Sequence, residues 1–408
     1  MKEIITLSDI RKAQKNIEGI VSETDLLYDY PSSKKYKANV YLKLENTQIV
    51  KSFKIRGALN AIKNLSPKQA KVGVIAASAG NHAQGVAYSA KQLGINSIIV
   101  MPNTAPLAKI KATMGFGGNV VFGPSGSFDD ANKLSKQMAE KYGYTLIPPY
   151  DHPDVIAGQG TIGLEILKQN PKIDTVIVQI GGGGLIAGIA TTIKAIKPSC
   201  KIIGVQTENF PDARDLFKGN KLRTSNRYVP SIADGIHVKE PSKLAISIMK
   251  KNVDDIITVN NAEIENAILW LAEKNKIIAE GAGATGMAAI LARKINIQGK
   301  NVAIIVSGGN IDIDRFIATM MNTLKREHRR VAFEYWYTPA SYKILIDSLQ
   351  GVSGRLYMID KDDPLSIKDK LPKGWTNIIA FFPNAKRSKN YFEKLTKNKV
   401  KFRRCKVS

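Results

Sequence analysis

Short apolar runs alternate with helical patterns from residue 55 to about residue 325. Runs rich in Val and Ile predict strands at 72–78, 97–101, 119–123, 175–180, 201–206 and 301–307, after a shorter alternating strand at 40–45. Between these runs the apolar residues recur at helical spacing, for instance over 82–94, 127–143 and 261–275. Near-continuous apolar strands separated by helices are typical of parallel sheets that are buried on both faces. The pattern therefore predicts an α/β protein.

The N-terminal segment predicts a helix of its own. Ile10, Ala13, Ile17 and Ile20 share one face, and Ser8 is the candidate N-cap. The segment is charged and amphipathic, and it lacks the apolar core of a signal peptide. We therefore expect it to belong to the folded protein.

The pattern changes after Arg315. Residues 331–408 contain more aromatic and basic residues and fewer βα repeats. Helical patterns at 342–350 and 391–398, with apolar runs at 355–360 and 377–382, predict a small C-terminal α+β domain that is joined through the charged stretch 324–330.

The composition is that of a globular protein with an unusual charge. A chain of 408 residues, 44% hydrophobic and 23% charged, predicts two or three domains. Its formal net charge of +25 raises nucleic acid or an anionic membrane as a partner. Lysines occur in every segment, without the aromatic interleaving that stacks bases, so we interpret the charge as spread over solvated surfaces. The two cysteines, Cys200 and Cys405, indicate a reducing cytoplasm.

Three predicted strands end in turns of small and polar residues, where open parallel sheets bind ligands. The run 181–185 (GGGGL) leads into a helical pattern, so its backbone N–H groups can bind a phosphate. A dinucleotide site, with Glu208 as the ribose ligand, is the rival interpretation, and a purely structural turn is another.

The other two turns supply further polar groups to the same edge of the sheet. In SAGNHAQGVA (78–87), Ser78 and the N–H groups of Ala79 to His82 can bind a carboxylate, and Asn81 can bind a ring oxygen. His82 is a candidate base or a structural histidine. Ser307, at the start of SGGN, supplies a neutral hydroxyl or simply ends a strand.

A phosphate cradle, a carboxylate loop, a ring-oxygen partner and a neutral hydroxyl together describe a site for pyridoxal phosphate. This cofactor requires a lysine, whose amine bonds to its aldehyde. Lys54 in KSFKIRGA has Phe53 beside it to cover a ring face, and the small Gly57 and Ala58 after it. We therefore select Lys54 as the catalytic residue and leave Arg56 as structural.

The ordered motifs resemble those of fold-type II pyridoxal-phosphate enzymes, above all threonine ammonia-lyases (threonine dehydratases), with serine racemases as close relatives. The resemblance covers roughly residues 5–320 and is carried by SFKIRGA, SAGNHAQGVA, IAGQGTIGLEI, GGGGLIAGIA, AEGAGA and SGGNID. It implies two parallel-sheet βα domains of the tryptophan synthase β kind, in addition to the small C-terminal α+β domain. It also implies a lyase of amino-acid metabolism, of the kind that serves isoleucine biosynthesis.

The resemblance assigns a role to each motif residue. Lys54 holds pyridoxal 5′-phosphate, Phe53 packs beside the ring, and Glu280 lies near the cofactor edge. The other implied cofactor contacts are Asn81 to the ring oxygen, Gly181, Gly182, Gly183, Gly184 and Leu185 to the phosphate, and Ser307 to the ring nitrogen. The implied substrate loop is Ser78, Ala79, Gly80, Asn81 and His82.

The implied reaction is β-elimination of L-threonine to 2-oxobutanoate and ammonia, and of L-serine to pyruvate. Unlike a carboxylate, a serine hydroxyl such as that of Ser307 does not keep the ring nitrogen protonated, which disfavours transamination. A serine racemase, or another hydroxy-amino-acid β-lyase of the same fold, is the alternative. Serine racemases carry a serine where this sequence has Ala79, and a methyl group moves no proton, so elimination is favoured.

The sequence also departs from the family pattern. Val50 and Lys51 replace the usual Thr-Gly before Ser-Phe-Lys, and Thr24-Asp25-Leu26 replaces Thr-Pro-Leu. Of the residues that bind a divalent ion in serine racemases, Asp212 is present but Gln206 replaces a glutamate, so we expect no tight metal site.

The resemblance also suggests a domain division. We expect residues 1–44 and 151–325 to form the large cofactor-binding domain, 45–150 a small catalytic subdomain, and 331–408 an ACT-like regulatory module or a degenerate, oligomerising one. We expect a cytoplasmic homodimer or homotetramer that acts on small-molecule substrates, with no nucleic-acid or membrane partner.

Overall fold

The computed structural model describes residues 5–221, 230–238, 240–359 and 375–405. The chain divides into two compact units, 1–312 and 313–408. Among the described residues, no helix is both long and apolar enough to span a membrane. The domain boundaries expected within the first unit remain predictions.

The strands of the first unit form two sheets. These strands are β1 (Leu26–Tyr28), β2 (Asn39–Lys43), β3 (Val74–Ala77), β4 (Ser97–Met101), β5 (Asn119–Phe122), β6 (Thr145–Leu146), β7 (Thr175–Gln179), β8 (Lys201–Thr207), β9 (Asp255–Val259) and β10 (Asn301–Ile305). One sheet has the order β1-β2-β10-β7-β8-β9, with only the edge strand β1 antiparallel. The other has the order β5-β4-β3-β6 and is entirely parallel.

Helices connect these strands. They are α1 (Leu7–Ile17), α2 (Tyr30–Tyr36), α3 (Lys54–Lys63), α4 (Pro67–Val72), α5 (Asn81–Gln92), α6 (Leu107–Gly115), α7 (Phe128–Tyr142), α8 (Pro153–Gln169), α9 (Gly184–Ile196), α10 (Asp212–Phe217), α11 (Lys243–Asn252), α12 (Asn261–Trp270) and α13 (Gly281–Leu291). Short 3₁₀ turns cover Glu45–Thr47 and Asp234–Ile236, and a π-helical turn, Leu271–Asn275, follows α12. The helices and strands predicted from the sequence patterns are therefore present, but several begin or end at other residues than predicted.

The predicted cap of the first helix is wrong. Thr6, not Ser8, is the N-cap: its hydroxyl accepts from the Asp9 N–H, and the Asp9 carboxylate accepts from the Thr6 N–H at 2.8 Å. This reciprocal capping box pairs two otherwise unsatisfied donors, so the helix begins two residues earlier than predicted.

The strands β1, β6 and β9 were missed by the sequence patterns. The first two are short, at 3 and 2 residues, and neither shows a regular alternation of buried and exposed positions. The predicted strand at 72–78 is shorter in the structure, because Val72 ends α4 and Gly73 separates that helix from β3. Helix ends and edge strands depend on contacts that a local pattern does not contain.

Close helix packing explains the glycines of the motif at 156–166. A Cβ on Gly158 would lie 2.5 Å from the carbonyl oxygen of Arg56, so α8 contacts the backbone of α3 directly. A Cβ on Gly188 of α9 would lie 2.3 Å from the Ile156 carbonyl oxygen of α8. These contacts fix α3, which begins at Lys54, against the core of the unit.

The second unit carries a four-stranded antiparallel sheet. Its elements are α14 (Ile313–Arg326), β11 (Arg330–Trp336), α15 (Pro339–Asp347), β12 (Arg355–Ile359), β13 (Trp375–Phe381), α16 (Ala385–Lys397) and β14 (Phe402–Arg404), with the sheet order β12-β13-β11-β14. From β11 onward the order β-α-β-β-α-β is that of a split βαβ fold. The predicted fold class, α/β with parallel sheets and a small α+β domain, is confirmed.

Candidate active site

Lys54 is held in place by the turn that follows β10. The backbone N–H of Phe53 donates to the carbonyl oxygen of Ser307 at 3.1 Å, and Ser52 forms an antiparallel bridge with Gly308. Lys54 then begins α3, whose other residues are largely buried. Two segments more than 250 residues apart in the chain therefore place the lysine beside the polar turn at 307–310.

The amine of Lys54 lies in a protein environment that weakens its affinity for protons. Its Nζ donates to the carbonyl oxygen of Pro149 at 2.8 Å and lies 5.2 Å from the centre of the Phe53 ring. Burial lowers the pKa of Lys54 from 10.5 to about 8, and the nearby Glu280 carboxylate opposes part of that shift. At neutral pH a larger fraction of such a lysine is the free amine, the form that acts as a nucleophile or accepts a proton, than of a solvated lysine.

A chain of amides and a carboxylate lies beside this amine. Asn310 Nδ2 donates to Asn81 Oδ1 at 2.7 Å, and Asn81 Nδ2 donates to Glu280 Oε1 at 2.7 Å. Burial, with a contribution from the charge of Asp234, raises the pKa of Glu280 to about 7. The contact with Asn310 identifies the Asn81 amide oxygen, so the Asn81 nitrogen is the atom that faces Glu280. The second N–H of that nitrogen can bind a ligand oxygen.

The Ser307 hydroxyl lies at the carboxyl end of β10 and is almost fully buried. With the Gln179 amide oriented so that both ends are paired, its oxygen accepts from the Ser307 N–H at 3.2 Å and from the Ser307 hydroxyl. Gln179 is the last residue of β7, the strand that pairs with β10. The hydroxyl therefore has a fixed partner on the neighbouring strand.

The glycine run at 181–185 forms an anion cradle at the start of α9. The first N–H groups of a helix have no intrahelical acceptor, and the helix dipole favours negative charge there. Gly183 has φ +95°, which a side chain rarely adopts, and a Cβ on Gly182 would lie 2.3 Å from the ring of Tyr150. The Tyr150 ring thus packs directly on the loop backbone, next to the Pro149 carbonyl that binds Lys54.

The loop 78–82 places a second helix N-terminus at the site, that of α5. Ser78 Oγ accepts from the Gly80 N–H at 3.2 Å. His82 Nε2 lies 2.8 Å from the carbonyl oxygen of Ile147, so this nitrogen carries the ring proton. Burial, and then the charge of Lys54, lower the pKa of His82 to about 3, so the ring is neutral and structural rather than a base at neutral pH.

Arg56 lies two residues from Lys54 but belongs to a buried ion cluster. Its guanidinium binds Glu45 at 2.8 Å and both oxygens of Glu165, the nearer at 2.5 Å. Lys43 completes the cluster at 2.6 Å from Glu165. The cluster joins β2, α3 and α8 behind the site, so the charge of Arg56 is neutralised locally.

The structure brings predicted site residues together from distant parts of the chain. Lys54 and Phe53 meet the Ser307 turn, Asn81 meets Glu280, and the glycine run meets the Pro149–Tyr150 segment. Glu208 of the rival dinucleotide interpretation instead pairs with Lys294 at 3.1 Å. Among the described residues, no group of three or more His, Cys, Asp or Glu side chains is arranged to hold a metal ion.

Sequence reasoning missed four residues of the site: Pro149, Tyr150, Gln179 and Asn310. Gln179 gave a signal, since it is a polar residue in an otherwise apolar strand. Asn310 lay within the quoted motif SGGN but received no role. Pro149 acts through its backbone, which no residue type reveals.

Comparison with known proteins identifies the family. The family model described as "Pyridoxal-phosphate dependent enzyme" matches residues 17–308. The L-threonine ammonia-lyase of Thermotoga maritima is 46% identical over 332 residues, which are 81% of this chain and 82% of that protein.

Solved structures give the same result. The processed form of threonine deaminase isoform 2 from Solanum lycopersicum has a TM-score of 0.72 at 38% identity, covering 77% of this chain and 86% of that one. Maize serine racemase has a TM-score of 0.74 at 34% identity, covering 80% of this chain and 99% of that one. The chain belongs to the pyridoxal-phosphate dependent enzyme family, and pyridoxal phosphate is its cofactor.

The residues present fit this cofactor. A buried amine with a lowered pKa is available to bond to an aldehyde, and the backbone N–H groups of the glycine run at the start of α9 are available for a phosphate. Lys54, Asn81, Gly181–Leu185 and Ser307 are the residues that would hold it.

Proposed function

We propose that the chain is a pyridoxal-phosphate-dependent threonine ammonia-lyase, which converts L-threonine to 2-oxobutanoate and ammonia and L-serine to pyruvate and ammonia. One observation carries the proposal: the Lys54 amine, with its pKa lowered to about 8, lies among two helix N-termini and the Asn81–Glu280 pair. The relative from Thermotoga maritima and the tomato structure, named for threonine deamination, support the choice of substrate.

Each side chain of the site then has a role. When bound, the cofactor supplies an electron-withdrawing ring system that acidifies the substrate Cα–H. Lys54 holds the cofactor and, as a free amine, takes the Cα proton. The N-terminus of α5, with Ser78, binds the substrate carboxylate, and the start of α9 binds the cofactor phosphate.

Ala79 favours elimination over racemisation. Racemisation needs a second proton donor on the substrate face opposite Lys54, and a methyl group moves no proton. Serine racemase activity is nevertheless the second candidate, since maize serine racemase shares the fold. An Ala79→Ser variant that forms D-serine from L-serine, where the parent forms none, would support this account of the two reactions; no gain of D-serine would contradict it.

The experiment that tests the function is release of 2-oxo acid from L-threonine and L-serine by the purified holoenzyme. We expect both activities, and we expect Lys54→Ala to abolish them together with the visible absorbance band of the covalently bound cofactor. Lys51→Ala is the matched control, because Lys51 is exposed and should leave that band unchanged. A Lys54→Ala variant with parental turnover would overturn the proposal.

The second unit is proposed as a regulatory module. Its split βαβ order supports an ACT-like role, and isoleucine and valine are the ligands to test, by their effect on 2-oxo-acid release. We also propose a cytoplasmic homodimer or homotetramer, without nucleic-acid or membrane partners. Sedimentation of the holoenzyme tests the oligomeric state.

A further inference from the structure

The peptide between Gly182 and Gly183 is held by a residue outside the glycine run. The carbonyl oxygen of Gly182 accepts from the Ser242 N–H at 3.0 Å. In a planar trans peptide the C=O and the N–H point to opposite sides, so this bond turns the Gly183 N–H away from Ser242. Gly183 is the N-cap of α9, and its N–H has no intrahelical acceptor. The direction of one N–H group of the anion cradle therefore depends on where Ser242 lies.

Ser242 is itself fixed by its hydroxyl, and it is almost fully buried. It is the N-cap of α11, and its Oγ accepts from the Ala245 N–H at 3.0 Å. The same hydroxyl donates to Oδ1 of Asp151. A serine hydroxyl has one proton and two lone pairs, so it makes both bonds at once. Asp151 thus adds a bond to Ser242 that the helix cap does not supply.

Tyr150, which precedes Asp151, packs on the glycine run from another direction. Its ring lies 2.3 Å from the position of a Cβ on Gly182, and its hydroxyl donates to the Glu240 carbonyl oxygen at 3.2 Å. Two consecutive side chains, those of Tyr150 and Asp151, therefore bind the residues at the start of α11. The Gly182 peptide contacts both Tyr150 and Ser242, so movement of either would change its orientation.

We propose that Asp151 and Ser242 are positioning residues, whose hydrogen bond keeps the Gly183 N–H directed at the cofactor phosphate. The proposal rests on the proposed function only in the assignment of the glycine run to that phosphate. Both residues act through the Gly182 peptide, and an N–H group that is already oriented loses less freedom when an anion binds. Loss of the bond should weaken binding of the phosphate and leave the bonding of Lys54 to the aldehyde unchanged.

Asparagine and leucine at position 151 separate the hydrogen bond from the charge. The two side chains have a similar shape and no charge, and only asparagine can accept from the Ser242 hydroxyl. The full-length chain, freed of cofactor, is titrated with pyridoxal phosphate and with pyridoxal, which has the aldehyde but no phosphate. Asp151→Leu should bind pyridoxal phosphate roughly 3–10-fold more weakly than Asp151→Asn, since one hydrogen bond is lost. The two variants should bind pyridoxal equally.

The same pair of substitutions in a Ser242→Ala background tests the partner. No donor then remains for position 151, so the two double variants should bind pyridoxal phosphate equally. Asp130 is the matched control, because its carboxylate accepts from the Ser125 hydroxyl next to α7. Asp130→Asn and Asp130→Leu should bind pyridoxal phosphate equally.

Four results would each overturn the proposal. These are equal binding of pyridoxal phosphate by the two Asp151 variants, an equal loss for pyridoxal, a difference that persists without the Ser242 hydroxyl, and a difference of the same size at Asp130. Because no substrate is added, failure of the proposed lyase activity would not produce any of them.

Discussion

Replacing Lys51 with glycine should stabilise the protein. Lys51 has φ +57°, in the left-handed region, where a residue with a side chain is less stable by about 1–2 kcal/mol. Glycine removes this strain but gains about 0.4–1 kcal/mol of disorder in the unfolded chain. The net gain is then ~0.5–1 kcal/mol, which raises the unfolding midpoint of a unit of this size by about 2 °C.

The backbone around Lys51 should survive the change. Its N–H donates to the Gln48 carbonyl oxygen at 2.8 Å, and its carbonyl oxygen accepts from the Gly309 N–H at 2.9 Å. Neither contact involves the side chain, which is exposed. The same geometry explains why the related enzymes usually carry glycine here.

Differential scanning calorimetry of the first unit is the assay, and Lys51→Ala is the matched control. Alanine removes the charge but keeps the strained conformation, so it should unfold near the parental midpoint or slightly below it. If Lys51→Ala is as stable as Lys51→Gly, the gain comes from the lost charge, and the argument from backbone strain is refuted.

Three further results are expected. Arg56→Met removes the cation that binds the buried Glu45 carboxylate and leaves Glu165 with Lys43 alone, so it should cost roughly 3–5 kcal/mol in calorimetry. Lys168→Met, which breaks an exposed pair, should cost about 0–1 kcal/mol, and equal losses would contradict the cluster's role. Gly182→Ala places a Cβ 2.3 Å from the Tyr150 ring, so it should displace the loop and weaken cofactor binding at least ~10-fold (about 1.4 kcal/mol) in a fluorescence titration. Gly115→Ala is the control, because a Cβ there meets open space and should leave cofactor binding unchanged. In the cofactor-free chain, the pKa of Glu280 is raised from its ordinary 4.5 to about 7. Between these two pH values the folded state binds more protons than the unfolded state, so the free energy of unfolding falls as the pH rises from 4.5 to about 7. Glu280→Gln should flatten that fall, and an unchanged pH profile of the midpoint would count against the raised pKa.

The sequence by itself determined the class of fold and selected Lys54 as the candidate reactive lysine. The alternation of apolar strands with helices is local and repeats along the chain, so residue order is enough to reveal it. The motif around Lys54 and the turns at 78–82, 181–185 and 307–310 each combine residue types that one cofactor requires. Because all of these motifs suit the same cofactor, the sequence alone predicts that they form one site.

Only the tertiary structure decided how those residues act. Gln179 binds Ser307 across two strands, and Asn310 orients Asn81 from 229 residues away. The charge of Arg56 is neutralised by Glu165, 109 residues further along the chain. The shifted pKa values have the same origin, because burial and neighbouring charges are properties of the packed chain. Sequence patterns report on neighbours along the chain, whereas proton positions and charge pairing depend on neighbours in space.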